Sequence, residues 1–205
     1  MVLAIMADPK RILILFAHPA LQRSRAQKRL LAAVRGLPFV TVNDLYEAHP
    51  DLFLDIKKEQ ALLQAHDIVV FQHPFYWYSC PAILKEWMDQ VLEYGWAYGP
   101  GERHLTGKWL LSALTTGGGE SAYHEQGRNR YPVQQFLLPF DQTAHLCGMN
   151  YLPPFLVMGS GQLEDEQLDA FAASYVRVLE KLAYGTLGLE AMAQMKSLNE
   201  ADLAR

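Results

Sequence analysis

The chain has 205 residues, half of them hydrophobic and 20% charged, with a formal net charge of −4. That composition supports one sizeable buried core and argues against disorder, and an acidic chain without a basic run argues against nucleic-acid binding by phosphate neutralisation. No apolar stretch reaches the length of a bilayer span, and two distant cysteines, Cys80 and Cys147, with no CxxC argue against a disulfide framework or zinc site and fit a reducing compartment.

Residues 1–10 carry a short apolar patch broken by Asp8 and Pro9. They lack the basic region and cleavage site of a signal peptide and read as a tail ahead of the first strand. Residues 11–17 (RILILFA) form a fully buried strand in this reading, residues 25–35 a helix, and residues 39–42 a short second strand. A helix over 57–66 leads to a third buried strand at 67–72 (DIVVFQ). The helix over 81–93 opens with Pro81, with Ser79 as a candidate cap. Residues 108–115 (KWLLSALT) give a fourth strand, and 132–147 contain a helix that Pro139 bends or splits. A fifth strand covers 151–158, with Pro153 and Pro154 at its start, which suits an edge. The last helix spans 163–184, with Leu168, Phe171, Tyr175, Val178, Leu179 and Leu182 on one face. Residues 185–205 show no clear stripe and read as a terminal arm.

Five strand–helix units in one direction imply an α/β three-layer sandwich, a parallel sheet covered on both faces. The order expected for five such units is the flavodoxin-like 2-1-3-4-5, within one domain over 1–205. In such sheets ligands bind at the carboxyl ends of the strands.

The loops after strands 1, 3 and 4 all carry unusual residues. After strand 1, His18 and Arg23 precede Ser24 at a helix start, where free N–H groups and the helix dipole can hold a phosphate. An ordinary Ser24 cap with a turn at Pro19 explains the same residues. After strand 3 come Phe75, Tyr76, Trp77 and Tyr78, a wall for a planar ring or simply packing. After strand 4, Thr115, Thr116, Gly117, Gly118 and Gly119 either expose backbone N–H donors to the pyrimidine edge of a flavin or form a flexible turn. The chain has no GxGxxG dinucleotide loop and no GxSxG, and its seven histidines show no metal-ligand spacing, so no metal is expected. Cys80 reads as a small buried residue, and Glu86 and Asp89 as part of a solvated helix face.

ILILFAHP with Ser24 at its spacing, VNDLYEAHPDLFLDI, QHPFYWYSCPAILKEWMDQVL, GWAYGPG, LTGKW, TTGGGESAY and NRYP together carry a resemblance over about residues 11–160. The chain resembles the flavodoxin-like NAD(P)H dehydrogenases (quinone), and more specifically the ancillary proteins of bacterial glutathione-regulated potassium-efflux systems. The resemblance implies FMN rather than FAD. It assigns His18, Ser24, Arg25, Ala26 and Gln27 to the flavin phosphate, Phe75, Tyr76, Trp77 and Tyr78 to the ring system, and Thr115, Thr116, Gly117 and Gly118 to the pyrimidine side. It further implies a homodimer with the active site close to the interface, and docking on the cytoplasmic side of a membrane potassium antiporter. In catalytically active relatives a Tyr and a His beyond TTGG stabilise charge on the reduced flavin. Tyr123 matches the first, while Asn129 occupies the second position and has no proton to relay; His124 is nearby in sequence.

The activity expected is flavin-dependent oxidation of NAD(P)H with a quinone or similar electrophile as acceptor, by a ping-pong scheme in one shared site in the cytoplasm. Tyr123 and the Gly117 and Gly118 backbone are the expected catalytic groups. The alternative is a regulatory subunit that binds and activates a potassium-efflux antiporter with little turnover. A one-electron carrier fits less well, because such proteins are usually more acidic.

Overall fold

The computed structural model describes residues 8–192 and 194–203. Strand β1 (Ile12–Phe16) is apolar and buried along its whole length, as a central strand covered on both faces must be. A 3-10 turn at Leu21–Arg23, helix α1 (Arg25–Val34), β2 (Val40–Asp44), α2 (Leu45–Ala48) and α3 (Ile56–Ala65) follow. Then come β3 (Ile68–Pro74), α4 (Ala82–Val91) and β4 (Trp109–Thr115). A 3-10 turn at Glu120–Ala122 precedes α5 (Val133–Phe136), α6 (Leu138–Leu146), β5 (Asn150–Tyr151) and β6 (Phe155–Val157). The long α7 (Asp165–Ala183) and the short α8 (Leu189–Met192) and α9 (Glu200–Leu203) end the described chain.

The strands are parallel in the order β2-β1-β3-β4-β5, with β6 also paired to β4. The expected order is therefore present, with the fifth strand in two pieces. Pairing with β4 stops at Leu110↔Tyr151 and resumes at Ala113↔Phe155. Pro153 and Pro154 stand inside the expected strand rather than at its start, and without N–H groups they cannot contribute to the ladder. The register sets Phe16 beside Gln72 and Gln72 beside Ala113, so the loops after β1, β3 and β4 leave the sheet at one edge.

Successive side chains of a strand point to opposite faces, which divides the core in two. Ile12, Ile14 and Phe16 pack with α1 and with the α7 stripe of Leu168, Tyr175, Val178, Leu179 and Leu182. Leu13, Leu15 and Ala17 pack with α3, α4 and α6 through Leu63, Trp87 and Phe140. A capping box of Glu164 and Gln167 starts α7. Pro81 is itself the cap residue of α4 rather than its first helical residue. Ser79 does not cap it; its N–H closes a turn onto the Tyr76 carbonyl at 2.9 Å. The expected helix over 132–147 is split into α5 and α6, with Pro139 in the first turn of α6, where a missing N–H costs nothing.

The segment after α7 lies against the molecule. Leu187, Met192, Leu198 and Ala201 are buried in the core beside α1 and α7. The Asn199 amide donates to the Leu156 carbonyl at 3.0 Å and accepts its N–H at 2.9 Å, covering the open edge of the sheet as a strand would. Arg177 on α7 pairs with Asp202 at 2.7 Å. At the other end the Lys10 N–H donates to the Ala183 carbonyl at 2.8 Å, while residues 1–7 of the expected tail lie outside the described residues. No helix among the described residues is long and apolar enough to cross a membrane.

Candidate functional site

A cleft of about 550 Å³ opens where β1, β3 and β4 end. Its base is the start of α1. The Ser24 backbone is extended, and its Oγ accepts the Gln27 N–H at 3.1 Å, so Ser24 is the N-cap. A hydroxyl that accepts one bond keeps its own proton to donate. His18 is buried beside it; its Nδ1 accepts the Ala20 N–H at 3.0 Å, which puts the ring proton on Nε2. Burial holds this imidazole below the usual histidine range, so near neutral pH His18 offers a neutral N–H donor and no positive charge.

Eight of the residues expected at the site line this cleft. His18, Ser24, Arg25 and Ala26 form one side, and Phe75, Tyr76, Thr115 and Gly117 the other. Arg25 has its guanidinium engaged by Asp165, with Arg29 also on Asp165 at 2.9 Å, so the exposed Arg23 is the less committed cation on the rim. Gln27 does not reach the cleft with its side chain, which is fully buried beneath it.

Tyr78, Thr116, Gly118 and Tyr123 belong to a second cluster that Phe75 joins to the cleft. Phe75 packs against Tyr78, Tyr123 and Phe136 at centroid distances of 6.3, 6.1 and 5.8 Å. Tyr78 stacks on Phe136 at 5.1 Å, and its hydroxyl donates to Asn129 Oδ1 at 3.4 Å. Thr116 Oγ1 donates to the Gly118 carbonyl at 2.6 Å. A Cβ on Gly118 would lie 3.2 Å from the Tyr123 ring and 3.3 Å from the Ala122 Cβ, so glycine lets these groups sit close without either neighbour giving way. Burial raises the Tyr123 phenol above its ordinary pKa, with the Thr116 hydroxyl working the other way, and keeps it a donor at neutral pH. His124 is exposed, with Nδ1 accepting the Gln126 N–H at 3.2 Å.

Trp77 projects into solvent, 94% exposed. Trp77 and Tyr78 have φ of +47° and +64°, in a tight turn closed by an antiparallel bridge between Tyr76 and Ser79. Two aromatic residues in the left-handed region cost stability, and strain of this kind collects at functional sites. Burial pushes the Cys80 thiol up, which makes it a packing residue rather than a reactive thiolate. Glu86 bonds to Gln90, and Asp89 pairs with Lys85, both on the exposed face of α4. Among the described residues no group of three His, Cys, Asp or Glu side chains is placed to hold a metal.

The sequence reading missed Ser160 and Gly161, which close the cleft from the loop after β6. The Ser160 N–H donates to the Thr116 carbonyl at 2.9 Å, and the Gly159 N–H to Gly118 at 2.9 Å, so this loop clamps the glycine-rich one. The signal was available: GSG stands at the same carboxyl edge as the three loops that were read. Phe136 was also missed, and nothing in the pattern of its helix marks it.

The signature of the flavodoxin-like fold family matches residues 10–179, most of the chain. The chain belongs to this family. The glutathione-regulated potassium-efflux system ancillary protein KefG of Erwinia tasmaniensis is 47% identical over 175 residues, covering 85% of this chain and 95% of the relative. Among solved structures, general stress protein 14 of Treponema denticola, in complex with FMN, matches with a TM-score of 0.81 and 35% identity, over 84% of this chain and 99% of that one. An NADPH-quinone reductase from P. pentosaceus matches with a TM-score of 0.75 and 31% identity, over 84% and 97%. Proteins similar to this chain thus include one in complex with FMN, an NADPH-quinone reductase and an ancillary protein of a potassium-efflux system.

Proposed function

We propose that this protein is an FMN-dependent NAD(P)H:quinone-type oxidoreductase. The observation that carries the reading is the donor set of the cleft. The α1 start, the Ser24 hydroxyl, His18 Nε2–H and the Thr115 hydroxyl all present donors, Arg23 and Arg25 stand at the rim, and no carboxylate lines the cleft among the described residues. Such a set fits a phosphate, and the Phe75 and Tyr76 rings beside it fit a planar ring. The volume lies within the usual range of about 300–1,000 Å³ for ligand pockets. An FMN-bound relative and a quinone-reductase relative support the choice.

Bound FMN supplies a ring that accepts hydride and passes electrons on. The chain's own part is to bind the phosphate at the α1 start, to orient the ring against Phe75 and Tyr76, and to offer Tyr123 and the Gly117 and Gly118 backbone to developing negative charge. Asn129, held by Tyr78, adds an amide donor whose charge does not change with pH. NAD(P)H and the acceptor use the cleft in turn, a ping-pong scheme. The protein works in the cytoplasm as a homodimer.

The KefG likeness supports a second role for the same protein, as the ancillary subunit of a membrane potassium-efflux system. Its exposed aromatics, Trp77 and Tyr94, suit an interface. Anaerobic addition of NADH or NADPH to the FMN-loaded protein separates the readings. Bleaching of the flavin absorbance is expected for the enzyme. A bound flavin that stays oxidised refutes turnover and leaves the ancillary role.

A further inference from the structure

Beneath the cleft four side chains from four elements join in one hydrogen-bonded chain. The Tyr175 hydroxyl on α7 donates to Gln72 Oε1 on β3 at 3.1 Å. Gln72 Nε2 donates to Gln27 Oε1 on α1 at 3.0 Å. Gln27 Nε2 donates to Thr115 Oγ1 at the end of β4 at 3.2 Å. All four residues are buried, Tyr175, Gln72 and Gln27 completely, and only Thr115 reaches the cleft.

The chain has a direction, and Tyr175 decides it. Its hydroxyl has no other partner among the described residues. If every bond were reversed, Gln72 would donate to the phenol oxygen and the phenol proton would be buried with no acceptor, at the full cost of an unmade hydrogen bond. With Tyr175 donating, both amides are fixed and the spare proton appears at the other end. Gln27 then occupies a lone pair of Thr115 Oγ1, and the Thr115 proton has no acceptor among the described residues. Aligned donors polarise one another, so this last O–H is a strengthened donor at the wall of the cleft.

We propose that Tyr175, Gln72 and Gln27 are positioning residues that commit the Thr115 hydroxyl to donating a hydrogen bond to the bound flavin nucleotide, so that Tyr175 controls FMN affinity without lining the cleft. This inference rests on the reading that the cleft holds FMN. Replacing Tyr175 by Phe lets both amides turn over; Thr115 then donates inward to Gln27 and presents a lone pair to the ligand.

A double-mutant cycle on FMN affinity tests it, read by quenching of flavin fluorescence as apo-protein is added. Thr115→Val and Tyr175→Phe are each expected to weaken FMN binding about tenfold, and the pair together also about tenfold. Thr115→Ser, which keeps the hydroxyl, restores affinity. If Tyr175→Phe does not fold, Gln72→Met breaks the same chain one link on and is expected to couple to Thr115→Val in the same way. Losses that multiply to about a hundredfold, or a Tyr175→Phe protein that binds FMN like the wild type, overturn the inference. Wild-type protein that takes up no FMN overturns instead the reading beneath it, a result visible before any substitution is made.

Discussion

Ser24 has two duties, and two substitutions separate them. Its Oγ caps α1 by accepting the Gln27 N–H at 3.1 Å, and its proton is free to donate to an anion at the helix start. Ser24→Ala removes both. Loss of the cap costs about 1 kcal/mol, which lowers the melting temperature of a chain this size by about 2–4 °C. Loss of one donor to a charged acceptor costs about 1.5–3 kcal/mol, roughly tenfold or more in FMN affinity. Ser24→Asp keeps an acceptor for the Gln27 N–H, and its charge suits the helix dipole, so the apo-protein melts at or above the wild-type temperature. The same carboxylate repels a phosphate, so FMN affinity falls further than in Ser24→Ala. Thermal melts of the apo-proteins and fluorescence titrations with FMN measure the two quantities independently. A Ser24→Asp protein that binds FMN like the wild type would refute the phosphate assignment, as would a Ser24→Ala protein changed in stability alone.

Trp77→Gly relieves a left-handed φ of +47°, so it raises the unfolding free energy by about 1 kcal/mol in urea; a variant no more stable than the wild type would show that the turn stores no strain. His73 is fully buried, its Nε2 has no partner among the described residues, and burial pulls its pKa from 6.5 down to about 4. The folded state favours the neutral ring, so its contribution is intact above pH 6.5 and is lost as pH falls toward 4, by about 3 kcal/mol in all. Urea unfolding across that range shows the slope, and His73→Asn, which does not titrate, flattens it; an equal slope in the variant rejects His73 as its source. Asn199→Ala uncovers the Leu156 N–H and carbonyl at the sheet edge, lowers stability by about 1–3 kcal/mol and raises self-association. Light scattering and melts that match the wild type would show that the edge is protected otherwise.

The strand order and the layers were legible because their causes are local. A strand buried on both faces needs an unbroken apolar run, and residues 12–17 and 68–71 supply one. Right-handed crossovers between parallel strands then leave few topologies. The fifth strand shows the limit of such reading. Apolar periodicity marks it, but which N–H groups the ladder with β4 requires depends on register, and that puts the break at Pro153 and Pro154.

The candidate site divides in the same way. That His18, Ser24, Phe75, Tyr76, Thr115 and Gly117 gather at one edge follows from the rule that parallel sheets gather the loops at their strand ends, so the sequence by itself determined it. Other features were decided only when distant segments packed. The register of β1, β3 and β4 brings Gln72 level with α1, and α7 lays Tyr175 against it, so Gln27 is turned from a ligand candidate into a buried link. Asp165, 140 positions along the chain, draws the Arg25 guanidinium to itself, and Ser160 closes the cleft from the loop after β6. A residue's type limits which bonds it can form, but which partner it meets is set by contacts between segments far apart in sequence, and no pattern within either segment records them.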